Sequence, residues 1–432
     1  MTTSAPNLTD PALIADPFGG YGRLREEAPV LLGASFDGSP AWYVTRQEDV
    51  RTALSDHRFV MDPDIARGTG SGNPRAATPV RQPPCGNPRA AIFEQLGIPA
   101  EFTPYLTDTI LDVDGVDHAR LRKLVSRTFT VRRVHELRLR VEAIAADLLD
   151  GLPERVDLLA EYAYPLPITV ISELVGVPKA DRPEWRKWAT ALVTMNRETI
   201  PGAMRDMVAH CRDLIARRRA EPTGDLITGM VAAQEDGAEV LSPAVAHDSA
   251  DRLTDTEIVT MILTLVLAGH ETTAHLVSNG TLALLQHPDQ LDRLRRDPSL
   301  WPGAVDELMR FCGPVHVTRL RYATEDVELG GVTIHAGDAV QSVLVSSNFD
   351  PRVYEDPERL DVTRKPAGRG DGHVGFGHGA HYCLGAALAR QEGEVALHAL
   401  VDRFPALALD GPTEWVPLPG SHRLTALPVR LA

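Results

Sequence analysis

Cysteine is scarce in this chain and never paired along it. Four occur in 432 residues, Cys85, Cys211, Cys312 and Cys383, and no two form a CxxC pair. That spacing excludes a zinc knuckle, gives no basis for a disulfide framework and fits a reducing compartment. Long apolar runs are missing too: the longest, Ile258 to Gly269, covers about a dozen residues and ends at His270 and Glu271, too short for a bilayer. The opening MTTSAPNLTDPALIADPF has neither the basic start nor the apolar stretch of a secretion signal. Positive charge is in the minority, 44 Lys and Arg against 59 Asp and Glu, and the net charge of -15 argues against a general nucleic-acid binder. No internal repeat is present. The expectation is a cytoplasmic protein with no membrane and no nucleic-acid partner.

What is present is ample apolar material, 43% of residues, with 24% charged. That composition supports a large buried core. The most linker-like segment, Arg67 to Ala90, is rich in Gly, Pro, Ser and Arg. The stretch before it holds little beyond the strand candidate AWYVT at Ala41 to Thr45, so the segment reads as a surface loop, running over 67–109, inside a single domain of 1–432. Helical spacing dominates the middle of the chain, over Val131 to Leu149, Met204 to Arg219 and Gly303 to Phe311. Strand signals cluster in Asp326 to Ser346, with turns at Gly330-Gly331 and Ala336-Gly337, and again in LTALPVRL near the C-terminus. The fold class is mainly α with small β-sheets.

One helix stands apart. Thr254 and Glu257 make a capping box, and no proline interrupts the pattern until Pro288. About 30 residues at about 1.5 Å each span about 45 Å, enough to cross a domain. Its first half is apolar all round, so LAGHETT places Glu271 and Thr272 in a core, where an unpaired carboxylate is costly.

The stretch GFGHGAHYCLGAALAR, Gly375 to Arg390, sets a lone cysteine between glycines and an apolar helix pattern over Leu384 to Arg403. A metal-binding thiolate must be deprotonated and shielded. Gly377 and Gly379 allow backbone amides to turn toward the sulfur, and the helix start favours an anion at Cys383. Small residues Gly385, Ala386 and Ala387 leave room for a large flat group, as a porphyrin is. A lone cysteine is more commonly an ordinary buried one. The full pattern Phe376, Gly379, His381, Cys383, Gly385 is far more specific, and it resembles the heme-binding signature of the cytochrome P450 superfamily.

Other segments carry the same resemblance in the expected chain order. Glu307 and Arg310, in DELMR, match the ExxR motif, and Arg359 in the segment Ser346 to Arg364 matches the arginine that completes its structural triad, although Leu360 follows where the family often has Phe. His118, Arg122 and Arg321, with His381, match positions that grip the heme propionates. Ala268, Gly269, Glu271 and Thr272 match the oxygen-binding groove of the distal helix, with Glu271 and Thr272 as the acid-alcohol pair that delivers protons. The resemblance implies a P450 fold with heme b between the long distal helix and the proximal cysteine-loop helix. Cys383 is then the axial iron ligand, and Phe376, Gly377, His381 and Gly385 flank the cofactor.

The activity implied is insertion of one oxygen atom from O2 into a bulky apolar molecule. The general look is similar to actinobacterial enzymes that tailor polyketides and macrolides. Electrons come ultimately from NAD(P)H through a ferredoxin reductase and a ferredoxin, since no flavin or iron-sulfur segment is fused. Ala119 to Arg140 carries eight Arg or Lys against one Glu, a patch suited to an acidic partner. Val315, His316, Val317 and Thr318 are expected to line the substrate pocket. His422-Arg423 stand where relatives often carry Arg-Gly, in a substrate-lining loop. The rival expectations are a steroid, terpenoid or peptide oxidase of the same mechanism, a peroxygenase, or a non-catalytic heme-thiolate protein.

Overall fold

The computed structural model of the chain describes residues 6–66, 93–194, 196–235, 253–366 and 370–432. The expected loop over 67–109 lies outside the described residues as far as 92, as does Cys85. From Phe93 onward it forms short turns, among them Ala100–Phe102 and Pro104–Thr107. Helices dominate, where the spacing places them. The pattern over 204–219 falls in helix Ile200–Ala220, which buries Met204, Met207, Val208, Cys211, Leu214 and Ile215 on one face. Val131 to Leu149, a single helical pattern in the sequence, is two helices, Val131–Glu136 and Arg138–Asp150, with Leu137 between them at ψ -13.

Contacts group the chain into two compact units. One comprises Leu137–Leu166, Thr272–Ala432 and the described residues up to 66; the other comprises 93–136 and Pro167–Glu271. Neither is one continuous stretch of chain. The long helix, Asp255–Gln286, runs 32 residues and contributes its first part to one unit and its second part to the other. Its start is closed as the sequence predicts: the Thr254 amide donates to the Glu257 carboxylate at 2.7 Å and the Glu257 amide donates to Thr254 Oγ1 at 3.1 Å. Among the described residues no helix is long and apolar enough to cross a membrane.

The larger sheet lies in the first unit. Its five strands run in the order Val30–Ala34, Pro40–Val44, Ala339–Ser342, Arg321–Ala323, Phe59–Val60. Val44, Val50, Leu54, Phe59, Ala323 and Val340 pack against one another beneath it. The hairpin Val327–Leu329 with Val332–Ile334 turns at Gly330 and Gly331, both at positive φ, 57° and 82°, where the sequence places a turn. The C-terminal strand signal becomes Pro428–Arg430, paired with Arg155–Asp157 and Ala408–Leu409.

Helix Trp301–Cys312 carries the ExxR pair. Arg310 donates to both carboxylate oxygens of Glu307, Nε to Oε2 at 2.7 Å and a terminal nitrogen to Oε1 at 2.8 Å. Its remaining donors reach the carbonyls of Asn348, Pro357 and Arg359. A guanidinium buried this fully is stable only because every face finds an acceptor. The expected third member needs correcting. Arg359 is exposed and contributes its carbonyl, whereas Arg364 donates from Nε to Glu307 Oε1 at 3.2 Å and also binds the Arg359 carbonyl. The backbone takes a positive φ, 45°, at Asp356, three residues before Arg359, and the Arg364 guanidinium folds back to donate to the Asp356 carbonyl at 3.2 Å.

Candidate functional site

The cysteine loop is built from backbone geometry that the glycines permit. Gly377 and Gly379 sit at φ 75° and 72°, as expected of a loop that bends its amides inward. At Gly379 a Cβ would lie 2.4 Å from the Leu54 carbonyl oxygen, and at Gly375 one would lie 2.6 Å from Met309 Cγ. Only glycine lets this loop settle onto helix Gln47–Ser55 and onto Trp301–Cys312. The Cys383 amide donates to the Phe376 carbonyl at 2.9 Å, closing the turn. Helix Ala386–Arg403 then begins with Gly385 as its cap, two residues later than the Leu384 start expected from spacing.

Cys383 is exposed, unlike Cys211 and Cys312, which are buried. Burial pushes the Cys312 thiol up to about 12, with Glu307 adding to the effect, and raises the Cys211 thiol further. Neither can supply a thiolate near neutral pH. Phe376 and Ala386 are buried on either side of the loop, and Gly385 comes close enough that a Cβ there would touch the Cys383 sulfur at 3.9 Å.

Arg321 opens a strand of the larger sheet and is 6% exposed. It donates to the Leu54 carbonyl at 3.1 Å, the same oxygen that Gly379 abuts, so the guanidinium stands at the edge of the cysteine loop next to the turn Gly379–His381. His381 itself is half-buried. These residues, with Thr272, belong to the first unit.

The second unit holds His118 and Arg122 on helix Gly115–Thr128, the imidazole buried and the guanidinium half-buried. Their i,i+4 spacing puts both on one face. It also holds Ala268, Gly269 and Glu271 on the long helix. Between Ile258 and Leu284 the helix is buried except at Ala268, which is exposed, and at Leu265, Leu267, Gly269 and Thr272, which are half-exposed. Leu265, Ala268 and Thr272 lie on one face, so the opening of this helix runs along that stripe with the small Ala268 at its most exposed point. Glu271 is 8% exposed and His270 donates or accepts through Nδ1 with the Val266 carbonyl at 2.7 Å, within its own helix.

The four residues expected to line the substrate pocket divide. Val315 is exposed, Val317 and Thr318 are half-buried, and His316 is 3% exposed. The His316 ring stacks on His422 at 4.8 Å, and His422 stacks on Trp415 at 3.6 Å, with Phe18 edge-on to both imidazoles. The His316 amide donates to the Gly420 carbonyl at 2.9 Å, fixing the segment 315–318 to the C-terminal loop. The departure at His422 thus has a packing role that spacing alone does not reveal. The basic stretch is partly neutralised: Arg120 pairs with Glu257, Arg132 with Glu136, and Arg138 with Glu142 and Glu394.

Sequence reasoning missed Arg364, and it missed Glu392. Glu392 lies on helix Ala386–Arg403, 2% exposed, and its carboxyl is held well above the ordinary range by burial, against the opposing hydrogen bond from Thr273. Its signal is weak, because Glu394 and Asp402 stand on the same helix and spacing alone does not single out Glu392.

Comparison with known proteins agrees with this geometry. The family model for cytochrome P450 matches residues 169–298 and 300–428. Cytochrome P450 107B1 of Saccharopolyspora erythraea is 42% identical over 415 residues, covering 95% of this chain and 93% of that protein. The 6-deoxyerythronolide B hydroxylase of the same organism is 39% identical over 412 residues, covering 94% and 93%. The ligand-free P450 monooxygenase TamI superposes with a TM-score of 0.82 at 37% identity, covering 100% of this chain and 95% of that one. Glycine-built cysteine loop, long helix and buried ExxR pair therefore have one common explanation: the chain belongs to the cytochrome P450 family, has its fold, and is a P450 monooxygenase of secondary metabolism.

Proposed function

We propose that the enzyme binds heme b through Cys383 and, with electrons passed from NAD(P)H by a ferredoxin reductase and a ferredoxin, hydroxylates or epoxidises a polyketide or macrolide in the cytoplasm. The observation that carries the reading is the accessible Cys383 thiol, presented by a loop that only glycines at positions 375, 377 and 379 allow. The donor set fits the cofactor. A soft anionic sulfur suits iron, the small residues Gly385 and Ala386 leave a flat face beside it, and Arg321, His381, His118 and Arg122 supply cations and N-H donors for two carboxylates. The heme, when bound, supplies oxygen activation, and a thiolate ligand favours cleavage of the O-O bond over storage.

The protein's own residues then have separable tasks. Ala268 and Gly269, being small, keep the helix from filling the oxygen side. Glu271 passes a proton to Thr272 Oγ1, which presents it on the same helix face as Ala268. Val315, with Val317 and Thr318 beside it, orients an apolar substrate and excludes water, a role supported by the exposure of Val315 and the partial exposure of Val317 and Thr318, while buried His316 holds the segment in place. Lys123, exposed on helix Gly115–Thr128, steers an acidic ferredoxin.

The test is the absorption spectrum of the reduced protein with carbon monoxide. A thiolate-type band that Cys383→Ser abolishes is the expected result. The same spectrum from the serine variant would end the assignment. Spin-state titration with macrolactones and, separately, with steroids would then check the substrate class.

A further inference from the structure

We propose that Arg390 is a positioning residue for the cysteine loop, a guanidinium clamped behind Phe376 and Tyr382 that fixes the direction of the Cys383 sulfur. The inference rests on the reading of Cys383 as the iron ligand.

Phe376 and Tyr382 are among the residues that hold Cys383. Its amide donates to the Phe376 carbonyl at 2.9 Å, and Tyr382 precedes it in the chain. Both meet Arg390, which lies one helical turn into Ala386–Arg403. The Arg390 guanidinium carbon stands 4.5 Å from the Phe376 ring centroid, within the range of a cation–π contact. One of its terminal nitrogens donates to the Tyr382 hydroxyl at 3.1 Å.

The cation is itself anchored. Nε donates to Asp306 Oδ1 at 2.7 Å, and the other terminal nitrogen lies 2.7 Å from Asp371 Oδ1. Asp371 Oδ2 accepts from the Tyr382 hydroxyl at 2.7 Å, which closes a ring of contacts through Arg390, Asp371 and Tyr382. A further tie comes from His373. Its Nδ1 accepts from the Gly375 amide at 3.1 Å, so the proton sits on Nε2, which faces Asp306 at 3.4 Å. One planar group thus sits on an aromatic face, holds a phenol and engages two carboxylates. That combination suits the fixed donor fork of arginine, because an ammonium is a point donor that cannot lie flat on a ring while donating to a carboxylate and a phenol and pairing in charge with a second carboxylate. Arg390 acts on the cysteine loop through Phe376 and Tyr382.

The experiment compares the holoenzyme with Arg390→Gln, Arg390→Lys, Asp371→Asn and Tyr382→Phe, reading the lifetime of the thiolate-type carbon monoxide band and the reduction midpoint. Arg390→Gln is expected to shorten that lifetime about tenfold, the equivalent of one charge-assisted hydrogen bond, and to lower the midpoint. Lysine is expected not to restore either quantity. Should the Arg390 variants fail to fold, Asp371→Asn and Tyr382→Phe each cut one tie while keeping the cation, and each is expected to shorten the lifetime by a smaller factor. Wild-type lifetime and midpoint in all the variants that fold would overturn the clamp, as would full restoration by lysine. Absence of the thiolate band from the wild-type protein would instead overturn the assignment of Cys383, so the two failures are distinguishable.

Discussion

Arg359 and Arg364 stand in one short run, ERLDVTR, and only the second reaches Glu307 with its side chain. Spacing from a motif cannot decide between them, because the decision lies in a bend at Asp356 and in which carbonyls the bend turns inward. Replacing Arg364 with Ala removes a charged donor from a buried carboxylate and is expected to cost about 1.5–3 kcal/mol, read by urea unfolding. Arg359→Ala leaves the carbonyl in place and is expected to stay within about 0.5 kcal/mol. Equal losses would mean that Arg359 also bonds through its side chain. Thr272 stands out in the sequence for a different reason, as a hydroxyl beside an acid in an apolar helix, and its place in a proton route is what the resemblance implies. Thr272→Ala is expected to keep consuming NAD(P)H while releasing hydrogen peroxide in place of oxidised substrate. Unchanged product per NAD(P)H would remove Thr272 from the proton route.

Elements were legible where a local device sets their ends. The capping box at Thr254 and Glu257 fixed the start of the long helix, and it forms reciprocally as its residues require. Thr254→Ala is expected to cost about 1 kcal/mol and to raise amide exchange in the first turn of that helix without altering the turn that carries Thr272. Loss of protection along all 32 residues would show instead that the cap holds the whole element. Ends set by tertiary contact were not legible. The break at Leu137 has no proline or glycine to announce it, and the cysteine helix starts at Ala386 because the Gly385 carbonyl is the first to accept a helical bond, from the Ala389 amide at 2.9 Å. The glycines of that loop were readable as permissive, but not the surfaces they admit, since Leu54 and Met309 lie far away in sequence.

At the scale of the molecule, periodicity revealed a mainly helical chain with small sheets, while the two interleaved units left no mark in composition, their boundary falling inside a continuous helix between Glu271 and Thr272. Burial of single ionisable groups in the first unit has a consequence for global stability. Burial drives the His422 imidazole down to about 3 from an ordinary 6.5, and lowers His316 through burial and the neighbouring His422. Between those limits the unfolded chain holds a proton that the folded chain refuses, so stability is complete above pH 6.5 and falls as pH drops toward 3. Glu392 works in the opposite sense. Its folded carboxyl stays protonated above the ordinary 4.5, so its contribution is complete below that pH and is lost as pH rises. Each group contributes a slope of up to about 1.4 kcal/mol per pH unit. Glu392→Gln keeps the shape and the Thr273 contact without an ionisable proton, and is expected to gain stability over the wild type progressively as pH rises from 5 to 8, measured by urea unfolding at each pH. His422→Phe keeps a ring against Trp415 and is expected to flatten the acid limb below 6.5. A stability difference for Glu392→Gln that does not change with pH would mean that this carboxyl is ionised in the folded enzyme, and its burial beside Thr273 would then require a cation that the described residues do not supply.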